Sequence, residues 1–241
     1  MTLGRYKGRY QVIGPPGTGK TTWLGAQVAH CVADGAEVCV SSLTRAAAAE
    51  VVRKQPPIPR DQIATLHAHA YRAIGRPKLY LDEVADWNEK QPYMRMRDTK
   101  SEDRTTDDLT PLRRSEEYPG DDLYEAIDLK RHKCVPRELW TELERDFFGD
   151  WTKWKQEAEV IDFTDMIERA LADTMSPECS PNVLFADEAQ DLSSLEYSLL
   201  CHWGESCDAL MITGDPNQAL YLWRGANPKL FNSLPLTGSG S

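Results

Sequence analysis

A glycine-rich stretch near the beginning of the chain carries residue types that suit phosphate chemistry. Residues 14–21 read Gly-Pro-Pro-Gly-Thr-Gly-Lys-Thr, which fills every fixed position of the pattern G-x-x-x-x-G-K-[ST]. In this pattern backbone N–H groups surround the phosphates, Lys20 reaches the β- and γ-phosphates, and the Thr21 hydroxyl is a ligand of Mg²⁺. The alternative, a turn without a ligand, is disfavoured because a predicted strand precedes the stretch and a predicted helix follows it. The residues predicted to bind the nucleotide here are Gly14, Pro15, Pro16, Gly17, Thr18, Gly19, Lys20, Thr21 and Thr22.

A second candidate site lies at the end of an apolar run in the last third of the chain. Residues 183–186 read Val-Leu-Phe-Ala, and Asp187 and Glu188 follow them. We predict that Asp187 holds Mg²⁺ together with Thr21, and that Glu188 orients or deprotonates the attacking water. Two adjacent acids are also common at solvated strand ends. Only together with the glycine-rich stretch does the pair predict hydrolysis of a nucleoside triphosphate rather than binding alone.

Strand and helix patterns alternate around these two motifs. Strands are predicted at 9–13, 37–41, 182–186 and 209–213, and helices at 20–33, 45–54, 137–158 and 163–173. Such alternation is typical of an α/β fold with a mostly parallel sheet and helices on both of its faces.

The middle of the chain has a different pattern. From residue 75 to about 149 the apolar periodicity fades, and charges of both signs crowd together from 95 to 128. We predict a mainly helical, partly mobile insertion at 75–157, which interrupts one α/β domain formed by 1–74 and 158–235. Its basic residues are interpreted as a charged surface rather than a nucleic-acid track, because acidic residues alternate with them. The last residues, 236–241, are low in complexity and resemble a linker.

Composition narrows the class of protein. A chain of 241 residues with 41% hydrophobic side chains can bury the core of one large domain. The formal net charge of −10 argues against a protein that coats nucleic acid through basic residues. It is compatible with local binding of nucleic acid through base stacking. No apolar run is long enough to cross a bilayer. The six cysteines contain no C-x-x-C pair, so zinc, iron–sulfur clusters and disulfides are not expected.

Longer stretches of the sequence indicate a more specific class of protein. Residues 187–191 (Asp-Glu-Ala-Gln-Asp) and 214–226 (Gly-Asp-Pro-Asn-Gln-Ala-Leu-Tyr-Leu-Trp-Arg-Gly-Ala) are similar to motifs II and III of UvrD-like superfamily 1 helicases. Residues 42–50 resemble motif Ia of that family, 65–67 resemble motif Ib, and 162–165 resemble the short acidic motif ahead of motif II. The resemblance covers nearly the whole chain except the insertion. It implies a RecA-like, ATP-binding domain that forms the first half of a DNA helicase.

The resemblance also implies roles for individual residues. Gln218 would sense the γ-phosphate, and Gln190 would belong to the same network, which couples the nucleotide site to DNA. Tyr221 and Trp223 would offer aromatic faces to bases, with Arg224 beside them as a polar contact. For Trp223 the alternative is a buried core aromatic, since tryptophan near a strand is often buried.

Motifs Ia and Ib give three weaker candidates for DNA contact. Leu43 stands where motif Ia usually has an aromatic residue, so a stacking platform would be weakened or absent there. Thr65 and His67 would contact the DNA backbone, and the alternative for them is a helix cap followed by a histidine whose hydrogen bonds are satisfied within the fold. Gln11 lies within a predicted strand and is a poor substitute for the family's adenine-recognising glutamine. The preference for ATP over other triphosphates therefore stays open.

The family likeness carries expectations about partners and activity. We expect ATP and Mg²⁺ as cofactors, single-stranded DNA and duplex junctions as partners, 3′ to 5′ translocation, and a cytoplasmic location in a bacterial or phage-infected cell. From the family pattern we expect this chain to lack the second RecA-like domain, and we expect the isolated chain to be at most weakly active because that domain supplies arginines to the ATP site. Two alternatives remain: a nucleotide-responsive DNA-binding or partner module that does not unwind, and an RNA-directed Upf-like helicase, which the string at 221–226 disfavours.

Overall fold

A computed structural model describes residues 7–15, 17–53, 57–98 and 117–235. Its centre is a five-stranded sheet with the strand order β1-β5-β4-β2-β3, in which all pairs are parallel. The strands are β1 (Gly8–Ile13), β2 (Val38–Ser42), β3 (Ile63–Thr65), β4 (Val183–Asp187) and β5 (Ala209–Gly214). The predicted α/β class is confirmed, and the four predicted strands are found within one residue at each end. The three-residue strand β3 was not predicted.

Helices cover both faces of this sheet. They are α1 (Lys20–Ala33), α2 (Arg45–Arg53), α3 (Leu66–Ala73), α4 (Val84–Lys90), α5 (Pro119–His132), α6 (Glu142–Glu157), α7 (Phe163–Ala172), α8 (Ser194–Ser206) and α9 (Pro228–Phe231). The helix predicted at 137–158 begins only at Glu142, because residues 137–139 form a separate 3-10 turn and Thr141 closes a capping box with Glu144. The linker-like tail, 236–241, lies outside the described residues.

Alternate strand residues face opposite sides of the sheet and build two apolar clusters. Val40 of β2 and Phe185 of β4 pack in one cluster with residues of α1 and α2. Cys39 and Leu184, one position earlier in each strand, pack in the other cluster with residues of α3, α7, α8 and α9. Strands that are apolar on both faces are typical of parallel sheets covered by helices. Both faces therefore hold the strand ends in a fixed arrangement.

The middle region has an aromatic cluster of its own. Trp87 of α4 lies edge-on against Trp151 of α6, with ring centroids 4.9 Å apart, and Phe147 and Trp154 pack around the pair. Tyr80 packs against Trp151 at 5.3 Å and joins this cluster to the start of α7 through Phe163. The described helices of the middle region thus bury apolar surface among themselves. The division into domains made from the sequence stays a prediction, and 99–116 of its charged stretch lies outside the described residues.

A buried ion network attaches the middle helices to α7. The Nη1 atom of Arg131 lies 2.9 Å from Asp162 Oδ2, and the Nζ atom of Lys155 lies 2.6 Å from the same carboxylate oxygen. Asp165 accepts from both cations, and the Trp151 indole N–H donates to Asp162 at 3.0 Å. Burial alone would raise the pKa of Asp162, but the charges of Arg131 and Lys155 hold it well below its usual range. The acidic motif at 162–165 is therefore a joint between α5, α6 and α7.

This joint predicts a large loss of stability for Asp162→Asn. The substitution leaves Arg131 and Lys155 buried with too little negative charge, and we expect the free energy of unfolding to fall by about 3–5 kcal/mol. The matched control is Glu168→Gln, which removes the half-exposed carboxylate at the rim of the same network and should cost less than about 1 kcal/mol. Urea unfolding measures both. Equal losses in the two variants would contradict a central role for Asp162.

Candidate nucleotide site and the segment bonded to it

The glycine-rich loop joins the end of β1 to the start of α1. Gly17 and Gly19 have φ angles of 75° and 82°, a left-handed conformation that residues with a Cβ rarely adopt. The N–H of Gly14 donates to Gly214 O at 3.2 Å, which ties the loop to β5. Helix α1 has 14 residues and no acidic side chain in its first turn, so its positive end faces the loop without a competing anion. Pro16 lies outside the described residues.

Two side chains of the loop are hydrogen-bonded to the loop's own backbone. Lys20 Nζ donates to Gly14 O at 2.7 Å, so the ammonium group reaches back along the loop. Thr18 Oγ1 donates to Pro15 O at 2.7 Å and closes the loop from the other side. Thr22 is exposed at the start of α1. Backbone N–H groups, one ammonium group and a helix N-terminus therefore converge at one edge of the sheet, as phosphate binding requires.

The predicted metal ligands lie together. Thr21 Oγ1 donates to Asp187 Oδ2 at 3.3 Å, while the hydroxyl of Thr213 and the N–H of Glu188 donate to Asp187 Oδ1. Among the described residues, no group of three or more His, Cys, Asp or Glu side chains could hold a metal ion. A hydroxyl and one carboxylate still fit Mg²⁺, since that ion is commonly bound through one or two carboxylates, its own waters and substrate phosphates.

Glu188 is held in an uncommon backbone conformation directly after β4. Its φ angle is 53°, which a non-glycine residue adopts only where the surroundings impose it. The amide nitrogen of Gln190 donates to Glu188 Oε2 at 2.9 Å and to Asp191 Oδ2 at 3.0 Å. The carboxylate of the predicted general base is thus fixed by Gln190.

Hydrogen bonds continue from Gln190 into the segment after β5. Gln190 Oε1 accepts from the N–H of Asp215 at 3.1 Å, and the Asp215 carboxylate accepts from the side-chain amide of Gln218. Asp191 Oδ1 accepts from the N–H of Leu220 at 2.8 Å. Residues 188–191 and 215–220 therefore form one bonded unit, which we call the coupling network.

The segment that follows the coupling network exposes apolar side chains. Leu220 is 72% exposed, Leu222 is 56% exposed and Trp223 is 46% exposed, while Tyr221 is half-buried. The alternative that placed Trp223 in the core is wrong. Its contact with DNA stays a prediction.

The other predicted DNA contacts are less accessible. Leu43, Thr65 and His67 are all buried. Thr65 is the N-cap of α3, because its Oγ1 accepts from the N–H of Ala68 at 3.2 Å. Leu43 belongs to the apolar cluster beneath α3 and α7. The structure therefore gives Thr65 the capping role that the sequence left open.

His67 and Arg224 belong to a polar cluster that sequence reasoning missed. They line a cavity of about 110 Å³ between α3 and α5, together with His132. Burial lowers the pKa of His67 to about 4. Burial raises the pKa of the nearby Glu196, but His132, Arg224 and His67 outweigh it and lower that pKa to about 2. Glu196 also closes the capping box of α8 with Ser193, and no sequence signal indicated its charged neighbours.

The side chain of Gln11 is hydrogen-bonded within the fold. Its side-chain amide donates to Phe231 O at 2.9 Å, which ties β1 to the end of α9.

These features define a class of protein: a P-loop nucleoside triphosphatase domain with an α/β fold. Residues 2–236 match the model of the UvrD/REP helicase N-terminal domain. The chain belongs to the UvrD/Rep helicase family. Among the described residues, no helix is both long enough and apolar enough to cross a membrane.

Individual relatives are distant. The chain is 23% identical to the ATP-dependent DNA helicase srs2 of Schizosaccharomyces pombe, over 93% of this chain and 29% of that protein. It is 28% identical to the probable DNA helicase II homolog of Mycoplasma pneumoniae over 40% of this chain and 14% of that protein. It is 28% identical to the ATP-dependent DNA helicase Rep of Buchnera aphidicola over 36% of this chain and 15% of that protein. The chain thus spans less than a third of each of these relatives.

The coupling network predicts that Gly214 tolerates no side chain. A Cβ atom at Gly214 would overlap Gln190 Oε1, so Gly214→Ala must displace the amide or the strand end. We expect the free energy of unfolding to fall by about 1–3 kcal/mol, as overpacking does. The control is Gly149→Ala in α6, where a Cβ meets nothing within 4 Å and helix propensity favours alanine. Thermal or urea unfolding compares the two, and a Gly214→Ala protein as stable as the control would contradict the geometry.

Proposed function

We propose that this chain is the ATP-binding part of a motor that couples ATP hydrolysis to movement along single-stranded DNA. The observation that carries the proposal is the coupling network, which runs from the predicted general base Glu188 to the backbone of Leu220. Beyond Leu220 stand the half-buried Tyr221 and the exposed Trp223. A change at the γ-phosphate thereby has a short, hydrogen-bonded route to aromatic groups that can stack on bases.

In the nucleotide half of this proposal each residue has a stated task. Lys20 and the N–H groups at the start of α1 hold the β- and γ-phosphates. Thr21 and Asp187 hold Mg²⁺, which neutralises phosphate charge when it is bound. Glu188 orients the attacking water and accepts its proton. Gln218, bonded to Asp215, lies in the coupling network and responds to the γ-phosphate.

For DNA binding, the proposal relies on base stacking. Stacking tolerates any base sequence and needs few cations, which suits a chain with a net charge of −10. Tyr221 and Trp223 are the main contacts in this proposal, because Leu43, Thr65 and His67 are buried. Likeness to the family adds four further parts to the proposal. These are translocation from 3′ to 5′, action at duplex junctions, a second RecA-like domain as the partner of the site, and a cytoplasmic location.

A second candidate function uses the same network without unwinding. Nucleotide binding at the P-loop would alter the affinity of the Tyr221–Trp223 segment for DNA, and the chain would act as a nucleotide-responsive binding module. The continuity of the coupling network favours this candidate equally, because it transmits a change whether or not a duplex is opened. Strand-displacement assays on the chain, alone and joined to a second RecA-like domain, distinguish the two functions.

Trp223→Ala tests the DNA half. Because the indole is 46% exposed, we expect little change in thermal stability and a loss of about 1–3 kcal/mol in binding to single-stranded DNA, with little dependence on base sequence. Fluorescence anisotropy with labelled oligonucleotides measures the affinity. Leu139→Ala, which removes another exposed apolar side chain on the middle region, is the control and should bind like the unaltered protein. Equal affinities for both variants would contradict the stacking role.

Lys20→Ala and Glu188→Gln together test the nucleotide half. Lys20→Ala removes the main side-chain partner of the phosphates, so binding of ATP should be lost. Glu188→Gln should keep Mg-ATP binding, because Thr21 and Asp187 remain, and lose turnover. Equilibrium binding of a fluorescent ATP analogue and phosphate release measure the two effects. Loss of binding in Glu188→Gln would mean that the roles assigned to Asp187 and Glu188 are wrong.

A further inference from the structure

Three neighbouring strands carry a polar side chain on the same face of the sheet, at their last residue (β2 and β4) or next to it (β5). Val40 and Phe185 face α1 and α2, so Ser42 and Asp187, two residues further along β2 and β4, face the same side. Ser42 and Asp187 are register partners in neighbouring parallel strands, and Thr213 of β5 bonds to Asp187 from the other side. Thr21 reaches Asp187 from α1. A row of Thr213, Asp187 and Ser42 therefore lies across the sheet at the edge where the predicted metal ligands meet.

Ser42 differs from the others in this row because its hydroxyl is unsatisfied. It is 2% exposed, and its Oγ atom has no hydrogen-bond partner. Its register partner on the other side, Thr65, uses its own hydroxyl to cap α3. A buried hydroxyl without a partner is costly, and few native structures keep one without a reason such as a bound ion or water.

We propose that Ser42 is a positioning residue for the divalent cation at this site: its hydroxyl bonds to a water in the hydration shell of the cation held by Thr21 and Asp187. The proposal rests on the proposed function. Mg²⁺ gives up its waters reluctantly, and these polarised waters need acceptors. Ser42 Oγ has two free lone pairs, and neighbouring strands are about 4.8 Å apart, which brings it beside Asp187.

The neighbouring residue allows a matched control. Ser41 is also buried, at 3% exposure, but it points to the opposite face of the sheet because strand side chains alternate. Ser41→Ala and Ser42→Ala thus remove the same atom from adjacent buried positions. Ser42→Thr keeps the hydroxyl and is the conservative variant.

The experiment measures Mg²⁺ dependence without turnover. Binding of a fluorescent ADP analogue is titrated with Mg²⁺, and a second titration in EDTA gives the metal-free affinity. We expect Ser42→Ala to need about tenfold more Mg²⁺ for half-maximal binding, because it loses one hydrogen bond to a charged group. Its affinity for the ADP analogue in EDTA should be unchanged. Ser41→Ala and Ser42→Thr should titrate like the unaltered protein. In thermal unfolding without nucleotide, Ser42→Ala should be as stable as the unaltered protein or more stable, because the hydroxyl has no partner in the fold.

The outcomes separate this proposal from the function on which it rests. An unaltered protein whose ADP binding does not depend on Mg²⁺ would contradict the proposed metal site itself. Mg²⁺ dependence that is the same in Ser42→Ala and in the unaltered protein would overturn the role of Ser42 alone. A large loss of thermal stability in Ser42→Ala without nucleotide would also overturn it, since the hydroxyl would then be satisfied within the fold.

Discussion

The amide side chain of Gln190 fills the gap between the ends of β4 and β5, and the arrangement of the site depends on it. Its nitrogen fixes the carboxylates of Glu188 and Asp191, and its oxygen accepts from the backbone of Asp215. Gly214 has no side chain because the amide occupies that space. Since Gln190 is only 2% exposed, water competes little for these bonds, and the two strand ends are held together through this one buried side chain.

The segment that carries Trp223 is held from a second direction by the middle helices. A Cβ atom at Gly225 would lie 3.3 Å from the side chain of His132 in α5, so the chain passes close to that helix. Helix α5 is itself fixed through Arg131 to Asp162 of the joint with α7. The exposed apolar side chains thus lie between the coupling network and a rigid helix, which leaves them exposed yet well positioned. Rigid elements of this kind position a binding segment more accurately than a free loop does.

The features that the sequence predicted well are those with local patterns. The P-loop, the Asp187–Glu188 pair and four strands are each read from a few consecutive residues. No bounds were predicted for helices α3, α4, α5, α8 and α9, and strand β3 was not predicted. Crowded charges hide the periodicity of α5, and β3 has only three residues. Pairings between distant positions leave no local trace. Arg131 and Asp162 are 31 residues apart, and nothing in either neighbourhood indicates the other. The burial of Leu43 and His67 likewise depends on helices packed over them, which spacing alone does not reveal.

In the proposed function, the nucleotide state reaches the aromatic segment through Gln190. The most direct measurement is the affinity for labelled single-stranded DNA with and without a non-hydrolysable Mg-ATP analogue, in the unaltered protein and in Gln190→Ala. We expect the analogue to change the DNA affinity of the unaltered protein, and we expect Gln190→Ala to bind both ligands but to lose this dependence. A DNA affinity of Gln190→Ala that responds to the analogue as strongly as before would rule out transmission through Gln190.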